Sequence, residues 1–350
     1  MKKDKSVSDL KPGQQATLFP SLAFYDAEKD STRAFVHGRV FVGGKIPIRT
    51  RLMLKALKKT MKASPEDLAS ETFQRRIEGF LTAPGRRRRI VLDVGQHRYR
   101  LKKRTRRNGA FYGLLTLPDN ALSSPEQSQT LRMDLLRSND SQGAIQPSRG
   151  RMHYVPPKGV SIISDIDDTI KMTDATCRQE MLANTFLRPF EVVAGMKDLY
   201  REWQNLGAEF HYVSSSPWQL YEPLAELCDV TGFPAGSMHL RYFRARDEMF
   251  KRFRPIRRHS KVAIIGGILK CLPERKFVLV GDSGEKDPEI YRFIARRYPK
   301  NIAAILIRNL DARPLSEKRM RKLMVVRKTA QIRVFQATSE IENVVGELLN

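Results

Sequence analysis

Residues 160–170, VSIISDIDDTI, constrain the fold of this chain more than any other stretch. The first half is apolar and predicts a short buried β-strand, and the polarity changes abruptly where that strand ends. Asp165, Asp167 and Asp168 follow, with Thr169 behind them. Three carboxylates this close repel one another unless a cation lies between them, and Mg²⁺ favours oxygen ligands. On these residues alone, an acidic turn and a metal site both remain open.

The chain beyond residue 154 alternates apolar runs with helical patterns. Such alternation predicts a parallel sheet with crossover helices. The predicted strands after the first cover 207–217, 276–287 and 302–310. Three strands end in polar clusters, at 165–169, 214–216 and 282–287. Because the carboxyl ends of parallel strands share one edge of the sheet, these clusters favour an active site over three unrelated turns.

The residues upstream have a different character. Residues 1–18 form a polar tail, and residues 19–135 predict a small β-rich domain with one or two helices. Residues 136–153 are rich in turn formers and predict a linker, and residues 154–350 form the α/β domain. Within the β-rich domain, eleven of the 22 residues from 86 to 107 are Lys or Arg. That density predicts a surface that faces anions rather than only a solvated strand face.

The formal net charge of +25 indicates an anionic partner. Nucleic acid, an anionic membrane surface and a phosphorylated substrate all satisfy it. No stretch reaches the roughly 18 apolar residues of a transmembrane helix, and the N-terminal residues lack the apolar centre of a signal peptide. Three widely spaced cysteines favour a reducing compartment. We therefore expect a cytoplasmic protein that associates with membranes peripherally.

The motifs resemble those of known phosphatases. DIDDT resembles the DxDxT signature of haloacid-dehalogenase-type enzymes, and Ser214, a lysine ahead of the third strand, and GDSGEKD at 281–287 follow in the order of the other motifs. DIDDTIK, HYVSSSPWQLY and FVLVGDSGEKDPEIY are similar to the catalytic domain of the actin-patch-associated phosphatidate phosphatase family, which is related to the lipins. The resemblance covers about residues 154–310. It implies a haloacid-dehalogenase-like Rossmannoid sheet and hydrolysis of phosphatidate to diacylglycerol and phosphate at a membrane surface.

The resemblance also implies catalytic roles. Asp165 would be the nucleophile that forms an aspartyl-phosphate. Asp167 would protonate the leaving alkoxide and later deprotonate water, with Thr169 holding it in orientation. Ser214 would donate a hydrogen bond to the phosphoryl oxygens, and Lys261 would offset their charge.

A Mg²⁺ site follows from the same resemblance. Its ligands would be the carboxylates of Asp165 and Asp282 and the backbone carbonyl of Asp167, with Asp287 as a direct or outer ligand. Asp168 is interpreted as a solvated neighbour with no catalytic role.

Some assignments keep an alternative. Ser215 and Ser216 either bind phosphate or cap the helix that follows them. Lys261 is preferred to Lys270 and Lys276 because it precedes an apolar helix, as the family pattern expects.

Residues 241–261 contain nine Lys or Arg residues interleaved with aromatic side chains. A solvated helix face, a nucleic-acid groove and a membrane-surface element are all consistent with that pattern. The family implies substrate binding by Arg241, although Tyr242 stands where the family has an acid. Two functional alternatives also remain: a phosphatase of nucleic-acid ends or other phosphomonoesters on the same core, and a non-catalytic basic module that binds anions.

Overall fold

The computed structural model describes residues 6–43, 48–137, 148–174, 176–241 and 256–349. The chain divides into two compact units. The first contains the described parts of residues 1–51, 78–156 and 236–238, and the second those of residues 52–77, 157–235 and 239–350.

The first unit is built on a nine-stranded sheet. Its strands are β1 Gln14–Leu18, β2 Ser21–Asp26, β3 Ser31–Val42, β4 Ala83–Pro84, β5 Val91–Val94, β6 His97–Arg100, β7 Ala110–Thr116, β8 Gln129–Leu135 and β9 Ser148–Val155. The strand order is β1-β3-β2-β9-β8-β5-β6, with β4 and β7 paired to β3. Alternate residues of β3, such as Ala34 and Val36, are fully buried in the core with Phe111. This alternation is what a sheet with one buried face requires.

Strand β9 begins within residues 136–153, the stretch predicted as a linker, and ends at Val155. It pairs antiparallel with β8 and parallel with β2. Met152 and Tyr154 bury their side chains in the core of the first unit, so residues 148–155 form part of its sheet rather than a connection. Residues 138–147 lie outside the described residues.

Three helices lie between β3 and β4: α1 Ile48–Met61, α2 Pro65–Ala69 and α3 Glu71–Glu78. A capping box opens α2: the amide of Asp67 donates to Ser64 Oγ at 3.1 Å, and the amide of Ser64 donates to the Asp67 carboxylate at 2.9 Å. Helices α2 and α3 are separate because Ser70 between them has extended backbone angles.

The second unit contains a six-stranded sheet. Its strands are β10 Val160–Ser164, β11 Glu209–Pro217, β12 Gly236–Arg241, β13 Lys276–Asp282, β14 Ile302–Arg308 and β15 Gln331–Phe335. The order is β12-β11-β10-β13-β14-β15, and the pairs from β11 to β15 are all parallel. The accompanying helices are α4 Arg178–Phe186, α5 Met196–Asn205, α6 Tyr221–Thr231, α7 Ile256–Cys271, α8 Asp287–Arg297, α9 Glu317–Leu323 and α10 Val344–Leu349. The predicted parallel sheet with flanking helices and the β-rich N-terminal region are confirmed.

The central strand β10 sets the position of the acidic motif. All five of its residues are buried. Ser164 pairs with Tyr212 of β11 and with Val280 of β13, so the three strands end at the same edge of the sheet. Among the described helices, none has the length and apolar character needed to span a bilayer.

Candidate active site

Three buried carboxylates meet at the carboxyl edge of the second sheet. Asp165 follows β10, Asp282 ends β13 and Asp287 begins α8. One carboxylate oxygen from each lies within 4.8 Å of the others. Gly281 permits this approach, since a Cβ atom there would lie 2.4 Å from Asp287 Oδ2.

Lys261 enters this cluster from α7. Its ammonium lies 2.5 Å from Asp287 Oδ1 and 3.2 Å from Asp165 Oδ1, and its side chain is buried. Burial alone would lower the pKa of Lys261, but the carboxylates of Asp165 and Asp287 raise it well above its ordinary value. The lysine is therefore charged in the site.

One lysine does not offset three carboxylates. Burial raises the pKa of Asp165 well above its ordinary value; Lys261 opposes this shift and Asp287 adds to it. Burial and then Asp287 raise the pKa of Asp282 to about 8. Both oxygens of Asp165, and Oδ2 of Asp282 and of Asp287, accept no hydrogen bond from the described residues. Mutually repelling carboxylate oxygens that accept no hydrogen bond are the donor set that a Mg²⁺ ion fits.

Asp167 faces a different set of groups. Lys171 Nζ lies 3.0 Å from its Oδ1, to which Thr173 Oγ1 donates at 2.8 Å. Ser216 Oγ and Ser214 Oγ donate to its Oδ2 at 2.6 and 3.3 Å. Although burial would raise the pKa of Asp167, Lys171 and the hydrogen bonds from Ser216 and Thr173 lower it. The site as it stands therefore holds Asp167 as a carboxylate.

The expected hydrogen-bonding role of Thr169 is not seen. Its hydroxyl is buried and has no hydrogen-bond partner among the described residues. The chain turns sharply at Asp168, where φ is +54°, and it is Thr173 that reaches Asp167. The interpretation of Asp168 as a solvated neighbour is wrong: its buried carboxylate accepts the amides of Thr173 and Asp174 at 2.7 and 2.8 Å and so fixes this turn.

Two serines near the end of β11, Ser214 and Ser216, lie beside the Asp167 carboxylate. The amide of Ser216 donates to Ser214 Oγ at 2.9 Å, and Ser215 between them is half-buried. The alternative that these serines cap a helix is wrong, because the 3₁₀ turn Trp218–Leu220 begins without a side-chain cap.

The remaining predicted residues lie farther from the carboxylates or outside the described chain. Lys270 and Lys276 are exposed, and Lys276 donates to the carbonyl of Lys300 at 2.9 Å. Arg241 ends β12, two strands from β10, and is half-buried. Residues 242–255, which hold most of the second basic stretch, lie outside the described residues.

Sequence reasoning missed three residues of this edge. Lys171 and Thr173 stand four and six positions after Asp167, inside or next to the quoted motif. Arg308 ends β14 and donates to the carbonyl of Asp168 at 2.8 Å. The strand-end criterion applied to Ser214 and Asp282 could also have found Arg308, whereas nothing in the spacing distinguished Lys171 from a surface lysine.

Buried carboxylates, a charged lysine and room for a divalent cation at the carboxyl edge of a parallel sheet define an α/β protein with a site suited to phosphoryl transfer. Residues 160–309 match the family described as phosphatidate phosphatase APP1, catalytic domain. The chain is 32% identical over 256 residues to phosphatidate phosphatase APP1 of Saccharomyces cerevisiae, covering 71% of this chain and 42% of that protein. The resemblance seen in the sequence is confirmed by the match of residues 160–309 to this family and by the identity to the yeast protein.

A second relative is an uncharacterized protein of Schizosaccharomyces pombe. It is 33% identical over 180 residues, which cover 50% of this chain and 29% of that protein. The chain thus spans less than half the length of both curated relatives. Among solved structures, a sialyltransferase from Photobacterium damsela has a TM-score of 0.24 at 8% identity, over 74% of this chain and 53% of that one, too low to inform the fold.

Proposed function

We propose that this protein is a Mg²⁺-dependent phosphatidate phosphatase that hydrolyses phosphatidate to diacylglycerol and phosphate at a membrane surface. The buried juxtaposition of Asp165 with Lys261, Asp282 and Asp287 carries the proposal, because it lies inside the segment that matches the family. The yeast relative's name supplies the substrate.

In the first step Asp165 attacks phosphorus. Asp165 Oδ1 lies 3.2 Å from the Lys261 ammonium, and Oδ2 accepts no hydrogen bond from the described residues, which leaves its lone pairs available. Attack forms the bond between Asp165 and phosphorus and breaks the bond between phosphorus and the lipid oxygen. The anionic phosphate beside it favours the acid form of Asp167, which gives its proton to that oxygen, so diacylglycerol leaves as a neutral alcohol. Lys261 offsets the charge of the phosphoryl group.

In the second step water attacks phosphorus. The carboxylate of Asp167 takes the proton of the water, the bond to Asp165 breaks, and phosphate leaves. Lys171, Thr173 and Ser216 hold Asp167 in its ionised form for this step. The two steps together restore both carboxyl groups to their starting states.

Asp165, Asp282 and Asp287 would hold Mg²⁺, with the backbone carbonyl of Asp167 as a further ligand. Bound there, the ion would neutralise charge between the nucleophile and the phosphate. The support for this Mg²⁺ site is the set of carboxylate oxygens that accept no hydrogen bond from the described residues, together with the raised pKa of Asp282. The sheet with motif residues at its carboxyl edge also supports a haloacid-dehalogenase-like assignment of the fold. We further propose a cytoplasmic, peripheral location, with which the three free cysteines agree.

The test is an assay of the purified chain with Mg²⁺ on two substrates, phosphatidate in mixed micelles and 5′-phosphorylated oligonucleotides. Asp165→Asn is the test variant and Asp198→Asn, an exposed acid of α5, is the matched control. We expect phosphatidate hydrolysis by the wild type and the control, and a loss of roughly 1000-fold or more in Asp165→Asn. Mass spectrometry of acid-quenched wild type should find phosphate on Asp165.

Three results would contradict this proposal in different ways. Hydrolysis of oligonucleotides alone would make the protein a nucleic-acid phosphatase on the same core. Equal activity of Asp165→Asn and the wild type would rule out Asp165 as the nucleophile. No hydrolysis of any phosphomonoester by any variant would favour a non-catalytic anion-binding module.

A further inference from the structure

A cluster of cationic side chains lies on two adjoining segments of the first unit, residues 86–88 and 102–107, here called the basic ridge. The amide of Arg87 donates to the carbonyl of Thr105 at 3.0 Å, and the amide of Thr105 donates to the carbonyl of Arg88 at 2.8 Å. The segments therefore run side by side. Their exposed cationic residues are Arg86, Arg87, Lys102, Lys103, Arg104, Arg106 and Arg107.

The ridge carries little compensating negative charge. Arg104 pairs with Asp9 at 2.8 Å. Within the described part of the chain, no ion pair is formed by the other six exposed cations of the ridge. Six uncompensated charges on two adjacent segments produce a strong local positive field.

An apolar patch lies on the same sheet. Phe35 of β3 and Leu114 of β7 pair directly opposite each other and are 37% and 46% exposed. Tyr112 stacks on Phe35 with ring centroids 6.4 Å apart. These three residues, here called the apolar patch, are on the face opposite to the core residues Ala34 and Leu115.

The ridge and the patch are continuous. The guanidinium of Arg106 lies 4.3 Å from the centroid of the Tyr112 ring. The amide of Arg106 donates to the carbonyl of Ala110 at 2.8 Å, which closes the turn into β7. The stack of Arg106 on Tyr112 therefore joins the cationic side chains of the basic ridge to the exposed side chains of Phe35 and Leu114.

We propose that the basic ridge and the apolar patch together form the surface that docks this protein on an anionic phospholipid bilayer. Lysines and arginines bind the headgroups, and the phenylalanine, tyrosine and leucine enter the boundary between headgroups and acyl chains. Leu114 favours this partner over single-stranded nucleic acid, because a leucine offers no aromatic face for a base. The like charges of two ridges repel, which disfavours a second copy of the chain.

The inference rests on the proposed function in one respect: a bilayer is the relevant surface because phosphatidate lies in it. The binding itself does not require catalysis. Vesicles of phosphatidylcholine with and without phosphatidylserine, and free of phosphatidate, therefore test it independently of the active site.

The experiment measures vesicle sedimentation of the full chain and of four variants. The ridge variant carries R87Q, K102Q, K103Q and R107Q; its matched control carries R321Q, K322Q, R327Q and K328Q, four exposed cations of the second unit. Leu114→Gln tests the patch, and Val325→Gln, exposed by 65%, is its control. Thermal unfolding of each variant checks that it folds.

We expect binding of the wild type to phosphatidylserine vesicles only. One headgroup-bound charge contributes about fivefold in partitioning, so the ridge variant should bind more than about 100-fold less tightly. The ridge control should change binding by no more than about fivefold. Leu114→Gln should weaken vesicle binding by about three- to tenfold, whereas its control Val325→Gln should not. Binding of Leu114→Gln to a single-stranded oligonucleotide, measured in parallel, should be unchanged.

Equal vesicle binding by the ridge variant and its control would overturn the inference. So would loss of oligonucleotide binding alone in the ridge variant, which would identify a nucleic-acid surface. Phosphatidate hydrolysis in mixed micelles is measured in parallel. If hydrolysis is absent but the vesicle pattern holds, the proposed function fails and the docking surface stands; if hydrolysis is intact and the ridge variant binds like the wild type, the docking surface alone fails.

Discussion

Asp167 and Asp165 stand two positions apart, yet their surroundings separate their chemistry. Asp165 is buried among other carboxylates, and its pKa rises. Asp167 is less buried, with 14% of its side chain exposed; it receives an ammonium and three hydroxyl groups, and its pKa falls. The surroundings thus distinguish the two groups, and a cation held by Asp165, Asp282 and Asp287 would lower the pKa of Asp165 and favour its ionised, attacking form.

The pair formed by Lys171 and Asp167 should be important for stability, because only 2% and 14% of the two side chains are exposed. Lys171→Met leaves a buried carboxylate without its cation, and we expect the free energy of unfolding to fall by about 3–5 kcal/mol. Adding Asp167→Asn should recover part of this loss. Urea unfolding followed by tryptophan fluorescence measures it, since Trp203 and Trp218 are both in the second unit.

Lys197→Met is the matched control for that substitution. Its ammonium pairs with Asp198 at 3.4 Å on the surface, so the change should be about 0.5 kcal/mol or less. A double variant no more stable than Lys171→Met alone would show that the pair is not the source of the loss.

At this scale the sequence could identify the acids but not their partners. Asp165, Asp282 and Asp287 follow from strand ends, because a parallel sheet brings those ends together whatever the side chains do. The partner of Asp167 depends on how the chain turns after it. The turn at Asp168, with its positive φ, places Thr173 rather than Thr169 on the carboxylate, and no spacing rule predicts that turn.

Among the elements, the strand ends of β10 and β13 and the start of α8 hold the cluster together. These elements hold three carboxylates close to one another, where they repel. Burial first, and then the charge of Asp287, raise the pKa of Asp282 to about 8. A fold that builds such a cluster is more stable with a cation in it.

Two opposite effects of Asp282→Asn should follow. Without Mg²⁺ the variant should be at least as stable as the wild type, because a neutral amide removes one of the repelling charges. With Mg²⁺ at about one hundred times its dissociation constant, the wild type should gain roughly 2.7 kcal/mol of unfolding free energy and the variant much less. Urea unfolding with and without Mg²⁺ measures both effects.

Asp198→Asn provides the control, since its Mg²⁺ response should match the wild type. An equal gain from Mg²⁺ in wild type and Asp282→Asn would place the ion elsewhere. Lower stability of Asp282→Asn without the metal would show that the repulsion is not the dominant interaction of this carboxylate.

The elements themselves divide into those with and those without a sequence signal. Strands β10, β11, β13 and β14 are predicted because they are buried apolar runs. Strands β12 and β15 were not predicted, because they lie at the ends of the sheet and QIRVF at 331–335 buries only its last residue fully. Edge strands make fewer core contacts, so their sequences carry a weaker apolar pattern.

At the scale of the whole molecule, the tryptophans that report unfolding and the two histidines with lowered pKa values lie in different units. His37 and His153 are buried in the first unit, whereas both tryptophans are in the second. Burial lowers the pKa of His37 to about 4, against a weaker opposing effect of the Pro20 backbone. Burial and then Arg151 lower the pKa of His153 to about 4. Acid should therefore act on the first unit through these two histidines.

Both histidines titrate near 6.5 in the unfolded chain, so the unfolded state binds their protons first as the pH falls. Their contribution to stability is complete above about pH 6.5 and is lost as the pH falls towards about 4. At pH 5 each should account for about 2 kcal/mol of lost unfolding free energy. Hydrogen exchange in peptides from β3 and β9, corrected for the intrinsic exchange rate, reports this loss in the full chain. A variant with His37→Gln and His153→Gln keeps every carboxylate and so isolates the effect of the histidines. It should lose less protection from hydrogen exchange between pH 7 and pH 5 than the wild type. An equal loss in both proteins would assign the acid sensitivity to other groups.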